Sequence, residues 1–462
     1  MDKINIQAKN YANRKYKQKT IITNSNLLII AFATCFFARL LDSLGFPSII
    51  NFAHFAIVSV ACGITLFTTK VGRSKQVNIV KQLLFGLVLL FTIMIVSSLV
   101  NEAGAINLVL NFLILAEPFI LLVAIISLPT TEEQLKKLQV WLIRFCFLHI
   151  FLAISQYYLL ILGLLRRTDM TLADNVQGVF YLSNGGHVVG ASVATAFGLY
   201  YFIVQKKVSF WFRAFVLAVS IYHLMLADAK QVILIMLLAW FLLIIINLKN
   251  IRKTILYLIY ASLTVYLFVW CMQNIEFFAH FNTWIRPHIY GPNGEATLLK
   301  TSSIRIIISY FQSPLNWLLG LGPGHTVDRL GGWMIGYRFG KYWELLQPLG
   351  ATRLPVSADV WDIYKGHWLD SSLFSPLFGW AGIWGNFGFI GLGSYLFLWA
   401  IVWQQLCSDD FSKYMVLNVA IHGFISSQLE EPGYMLLIAL LIGIRYHELL
   451  LKDINLQRTR HP

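Results

Sequence analysis

Charge is scarce in this sequence: 13% of its 462 residues are Asp, Glu, Lys or Arg, where a soluble domain carries about 25%. With 57% hydrophobic residues, there is too little polar surface to cover a water-soluble fold, which excludes an ordinary soluble domain. Acid is scarcer than base, 22 residues against 36, for a net charge of +14. Such an excess can mark nucleic-acid binding, but here the lysines and arginines gather at the ends of apolar runs, as membrane orientation requires. No nucleic-acid partner is expected. Cysteine is sparse and scattered (Cys35, Cys62, Cys146, Cys271, Cys407) with no CxxC spacing, so neither a zinc site nor a thiol redox pair is suggested. A DxD motif is missing from the outward segments, because Asp409 and Asp410 fall on the other side; no metal and no cofactor is expected, and Asp359 with Asp362 is the pair that a magnesium requirement would bring back.

What is present is a series of apolar runs long enough to cross a bilayer, each about 20 residues. They begin near 26, 47, 82, 106, 138, 185, 208, 231, 253, 384, 413 and 432, which predicts an all-α polytopic membrane protein of about 12 transmembrane helices. The run near 47 is interrupted by Asn51 and His54, and the one near 413 is short. Residues 1–25 form a basic tail, and the apolar stretch after it lacks a small-residue cleavage site, so it reads as a retained span. Alternate connections carry the lysines and arginines (Lys70 to Lys81, Lys136 and Lys137, Lys206 to Arg213, Lys249 to Lys253, Lys413 and the residues from Lys452 onward), which places both termini in the cytoplasm. The expected division is a tail at 1–25, nine helices over 26–273, a large external loop of short helices at 274–383, three helices over 384–450 and a tail at 451–462.

One short outward connection breaks the charge rule. "LMLADAKQVILIM" (224–236) sets Asp228 and Lys230 inside an otherwise apolar run, where ionisable groups are costly and commonly functional. The alternative is a tight turn whose lysine snorkels to the headgroups and pairs with the aspartate. The long loop adds Arg286, Lys300, Arg305, Arg329, Arg338, Lys341, Arg353 and Lys365, with His280, His288, His325 and His367. Guanidinium forks grip phosphate oxygens two at a time, so an arginine-rich outward lobe suits an anionic ligand, and "GLGPGHT" (320–326) is a candidate amide-bearing turn for it. Singly, each arginine reads equally as a solvated charge or a salt bridge. The tryptophans and tyrosines of the loop (Trp317, Trp333, Tyr337, Tyr342, Trp343, Trp361, Trp368) suit an interfacial belt or sugar-stacking platforms.

Three patterns in this region resemble the O-antigen polymerase and O-antigen ligase superfamily of membrane glycosyltransferases. "ADAK" stands where that family places a basic residue before a span, with Lys230 in place of arginine. "TSSIRIIISYFQSPLNWLLGLGPG" (301–324) is similar to the family's arginine, short helix and GxGxG, which puts Arg305 at the position of an essential arginine. The ligase pattern of a histidine, nine residues and GxxG, aligned on Gly382 and Gly385, reads "SSLFSPLFGWAGIWG" here, so Ser371 occupies the histidine slot. The departure favours a polymerase over a ligase. The resemblance spans roughly 185–405.

It implies a C-type glycosyltransferase architecture in the bacterial inner membrane, with its active site facing the periplasm. Donor and acceptor would be undecaprenyl-diphosphate-linked oligosaccharides, and a chain-length regulator is a possible further partner. On this reading Arg305 and Lys230 stabilise the leaving diphosphate, supported by Arg286, Arg329, Arg338, His325 and Asp228. Asp370 and His367 are the candidate bases, and Glu430 and Glu431 a less favoured base or a wall of the sugar groove. A ligase moving a finished glycan to another acceptor, and a glycan transporter, are the rival readings.

Overall fold

The computed structural model describes residues 24–69, 73–129, 131–183, 185–248, 251–279, 281–282, 287–338, 340–364 and 374–460. Every regular element among these residues is helical. The first part of the chain forms α1 (Asn24–Phe36), α2 (Ile50–Thr68), α3 (Ser74–Val100), α4 (Ala105–Ser127), α5 (Glu132–Ile161), α6 (Gly186–Val204), α7 (Phe210–Leu226), α8 (Lys230–Ile246) and α9 (Ile251–Asn274). A lobe follows with α10 (Glu295–Ser309), α11 (Pro314–Leu319) and α12 (Val356–Tyr364), and the chain returns through α13 (Gly379–Gln405), α14 (Asp410–Ile425) and α15 (Pro432–Arg460).

Eight of these helices are long and apolar enough to cross a membrane: α2 to α6, α9, α13 and α15. The chain is therefore a polytopic membrane protein. Shorter apolar helices form α1, α7 and α8. The 17 residues of α7 and of α8 rise about 26 Å, a little less than the roughly 30 Å hydrocarbon core. Helix α14 has 16 residues.

Two helices begin well before their apolar runs, and polar chemistry at the helix ends explains it. Helix α5 starts at Glu132 because the Thr131 side chain accepts a hydrogen bond from the backbone N–H of Gln134, and because Glu132 and Glu133 suit the positive end of the helix dipole. Helix α3 starts at Ser74, and its buried Gln76 donates from Nε2 to the carbonyls of Ile126 and Leu128 at 2.8 and 3.3 Å. Those carbonyls belong to the end of α4, where no intrahelical donor remains.

Helices α4, α6 and α15 form the centre, around the fully buried Phe119, Phe197, Tyr200 and Tyr434. Helix α9 is the opposite case: only 6% of its apolar window is buried, so it stands almost free of the bundle.

The connections following α1, α3, α14 and the lobe itself meet on one face of the bundle. Lys341 Nζ lies 3.3 Å from Asp42, the amide of Gly104 donates to Thr352 Oγ1 at 2.9 Å, and Lys300 Nζ donates to the Ile425 carbonyl at 2.7 Å. Away from that face, the start of α14 is joined to the middle of α15, where Arg445 Nε meets Asp409 at 2.6 Å.

Glycine decides how the lobe seats. Helix α13 kinks at Gly388 (φ +62°), and the chain at Gly320 (φ +70°) crosses it there. A Cβ on Gly320 would lie 2.2 Å from the Asn386 carbonyl carbon, and one on Gly388 2.3 Å from that of Leu318. The amides of Leu321 and Gly322 donate to the Gly385 and Asn386 carbonyls at 2.8 and 3.0 Å. The "GLGPG" turn therefore spends these two amides on backbone packing rather than offering them to a ligand. Gly331 is likewise packed: a Cβ there would lie 2.5 Å from the Thr326 carbonyl oxygen.

Candidate active site

The same helix, α13, sets the central residues of the site. Gly382 and Gly385 leave room for the segment Thr326–Asp328, since a Cβ on Gly382 would approach the Asp328 Cα to 2.8 Å and one on Gly385 the Thr326 side chain to 3.1 Å. Thr326 Oγ1 donates to Asn386 Oδ1 at 2.7 Å. Asp328 then enters the interior as the cap of a π-helical turn (Arg329–Met334), accepting from the Gly331 amide at 2.8 Å and from Asn111 Nδ2 of α4 at 2.6 Å.

This anchoring delivers Arg329 to a cleft between the lobe and the ends of the helices. The cleft is narrow, with about 40 Å³ of room for water molecules, and its walls carry Arg39, His54, Arg329, Tyr342 and Glu431. Arg329 Nη1 pairs with Glu431, and its backbone amide donates to Glu430 Oε2. The second oxygen of Glu430 is buried without a hydrogen-bond partner among the described residues. His54 of α2 meets Glu117 of α4 through Nδ1, at 2.8 and 3.0 Å to the two carboxylate oxygens.

Burial governs the charges of the lobe side. It lowers the Arg329 guanidinium to about 10, with the neighbouring Arg39 charge acting in the same direction. It raises the Asp328 carboxyl to about 6, against the hydrogen bonds from Gly331, Asn111 and Asn386. It raises Glu430 well above the usual carboxylate range, helped by the Asp328 charge. Of the two carboxyls, Glu430 is therefore the one that more readily keeps its proton.

Of the residues singled out in the sequence, Arg329, Tyr342 and Glu431 line this cleft. Arg305 is exposed on α10, and its Nη2 donates to the Leu298 carbonyl at 2.6 Å. Arg338 is 3.5 Å from Asp362 on the outer surface of the lobe. His325 fastens the glycine turn to the loop beyond, its two ring nitrogens each 2.8 Å from the Leu321 carbonyl and Thr352 Oγ1. Lys230 pairs with Asp228 across a turn in which Asp228 takes a left-handed conformation (φ +49°), near His187, whose Nε2 is 3.4 Å from Asp174. Arg286, His367 and Asp370 lie outside the described residues.

Arg39, His54 and Glu117 were not singled out as site residues. Glu117 had a signal: it sits in "LILAEPFILL" (113–122), an ionisable residue in the middle of a span, followed by a proline. His54 registered only as an interruption of an apolar run.

No protein-family model matches the sequence, and no curated protein matches it.

Proposed function

We propose that this chain is a membrane glycosyltransferase that joins undecaprenyl-diphosphate-linked oligosaccharide repeat units at the outer face of the bacterial inner membrane, in the manner of an O-antigen or exopolysaccharide polymerase. The observation that carries the reading is Arg329, held in a carboxylate-lined cleft where a lobe rests on the ends of apolar helices. A lipid-linked diphosphate enters at this height, with its carrier among the helices and its sugars beneath the lobe. The proposal includes about 12 spans, in which α1, α7, α8 and α14 join the eight longer helices, a C-type architecture, and cytoplasmic termini.

In the transfer, the bond between the anomeric carbon and the diphosphate oxygen breaks, and negative charge grows on the leaving group. Arg329, with Arg39 on the facing wall, supplies fixed positive charge where that growth occurs, the most effective kind of electrostatic catalysis. The diphosphate competes with Glu431 for the Arg329 guanidinium, so binding frees a carboxylate at the acceptor side of the cleft. Lys230, paired with Asp228, and Arg305, exposed on α10, are not among the residues of the cleft wall. The donor already holds the energy of its phosphate ester, so the reaction calls for no cofactor.

The test is the length distribution of carrier-linked glycans in cells holding the parent, Arg329→Ala, Lys230→Ala or Arg305→Ala at equal membrane abundance. The expected result is ladders in the parent and single repeat units in Arg329→Ala. Carrier-linked ladders that persist but never reach a final acceptor indicate a ligase. Repeat units that stay on the cytoplasmic side indicate a transporter, and unchanged glycans throughout overturn the proposal.

A further inference from the structure

The cleft contains a second constellation that the charge argument leaves unused. His54 is 5% exposed and Glu117 fully buried, and both carboxylate oxygens of Glu117 lie within hydrogen-bond distance of His54 Nδ1. A carboxylate accepting from Nδ1–H fixes the imidazole as the tautomer whose Nε2 carries a lone pair. Nε2 has no partner among the described residues, and His54 is part of the cleft wall. The ring is braced by Phe55, 4.1 Å between centroids.

A buried carboxylate in a membrane-spanning helix is costly unless it has a task, and an ion pair alone seldom offsets that cost. The arrangement has the form of a base held by an orienting acid, on the wall of a space that also contains Arg329. The groups around it come from every wall: Cys35 and Arg39 from the first helices, Arg329 and Tyr342 from the lobe, and Glu431 from the turn before α15.

Resting on the glycosyltransferase reading, we infer that His54 is the general base that activates the acceptor hydroxyl, and that Glu117 is its positioning residue. As the acceptor oxygen bonds to the anomeric carbon, its proton passes to His54 Nε2. The electron pair of the breaking carbon–oxygen bond leaves with the diphosphate, and the imidazolium that results is balanced by Glu117. The proton then moves on to the departing diphosphate or to water, and the neutral ring is restored.

The experiment uses the full-length protein in phospholipid vesicles with a carrier-linked repeat unit as both donor and acceptor. His54→Gln is expected to lower kcat by ~100-fold or more, the usual worth of a positioned base, with KM within about threefold of the parent. Added imidazole restores part of the rate to His54→Ala. Glu117→Gln keeps the shape of the site and lowers kcat rather than raising KM. Nitrogen-15 spectra of labelled histidine report an Nδ1–H tautomer for His54 in the parent and its loss in Glu117→Gln. A parental rate in His54→Gln overturns the base while leaving the glycosyltransferase reading in place, as does a loss confined to KM. An inactive parent with the expected tautomer removes the reaction but keeps the dyad.

Discussion

Asn111, in the second turn of α4, donates to a carboxylate oxygen of Asp328 at 2.6 Å, so the residue before Arg329 is tethered to the near end of a central helix. Asn111→Leu leaves that buried carboxyl short of a donor. The expected cost is about 1–3 kcal/mol of stability, read as a lower unfolding temperature in detergent, together with reduced glycan extension because Arg329 is no longer held in place.

Arginine at 329 is used for its shape. Its guanidinium pairs with Glu431 through Nη1, and this planar set of donors is one that a lysine ammonium does not reproduce; the backbone amide bond to Glu430 is kept by either residue. Arg329→Lys keeps the charge and is expected to reduce chain extension by ~100-fold, the size of effect seen on removing a charge-stabilising donor. Glycan ladders at equal abundance check it.

Gly388 and Gly320 carry the crossing of the lobe over α13. Gly388→Ala forces a side chain into a left-handed backbone and to within 2.3 Å of the Leu318 carbonyl carbon. A loss of at least about 1–3 kcal/mol is expected, visible as faster proteolysis of the lobe. Gly393→Ala, where a Cβ meets nothing within 4 Å, serves as the control.

Lys300 gives the lobe a pH signature. Its Nζ donates to the Ser375 and Ile425 carbonyls at 2.8 and 2.7 Å, and burial lowers its pKa from 10.5 to about 7. Between those values the unfolded chain binds more protons than the folded one, so stability rises with pH across that window. Below pH about 7 the folded lobe holds a charged, desolvated amine and the full penalty applies. Lys300→Met removes this dependence. The difference between parent and variant is expected to grow in favour of the parent from pH 7 to 10, by an amount on the order of a few kcal/mol.

The apolar helices were legible in the sequence because a run of about 20 apolar residues is a local signal. A helix stands at each run read there, but eight of them are long and apolar enough to cross a membrane, and the regular elements among the described residues of the lobe are helical. Helix ends were less legible, since Gln76 and Thr131 act through partners that hydropathy does not register. The candidate site was legible in part. Arg329 was one of eight basic residues in the loop with nothing local to distinguish it; its distinction comes from Glu430 and Glu431, which follow 101 and 102 positions later. "GLGPG" has one sequence signal and two possible uses, cradling a phosphate or letting two backbones touch, and the structure uses the turn for the second. His54 and Glu117 are 63 positions apart, so only the cost of burying each could have marked them.

The pairing of Arg329 with the turn before α15 also fixes an order of assembly. Helices α1 to α9 and the lobe leave the ribosome before Glu430 and Glu431 exist, and chains fold from the amino terminus as they are made. Until α15 is in place, Arg329 lacks both carboxylates that hold it, and the cleft lacks one wall. The cleft is thus complete only once the chain has passed residue 431, and a chain interrupted before residue 430 would hold Arg329 with neither partner.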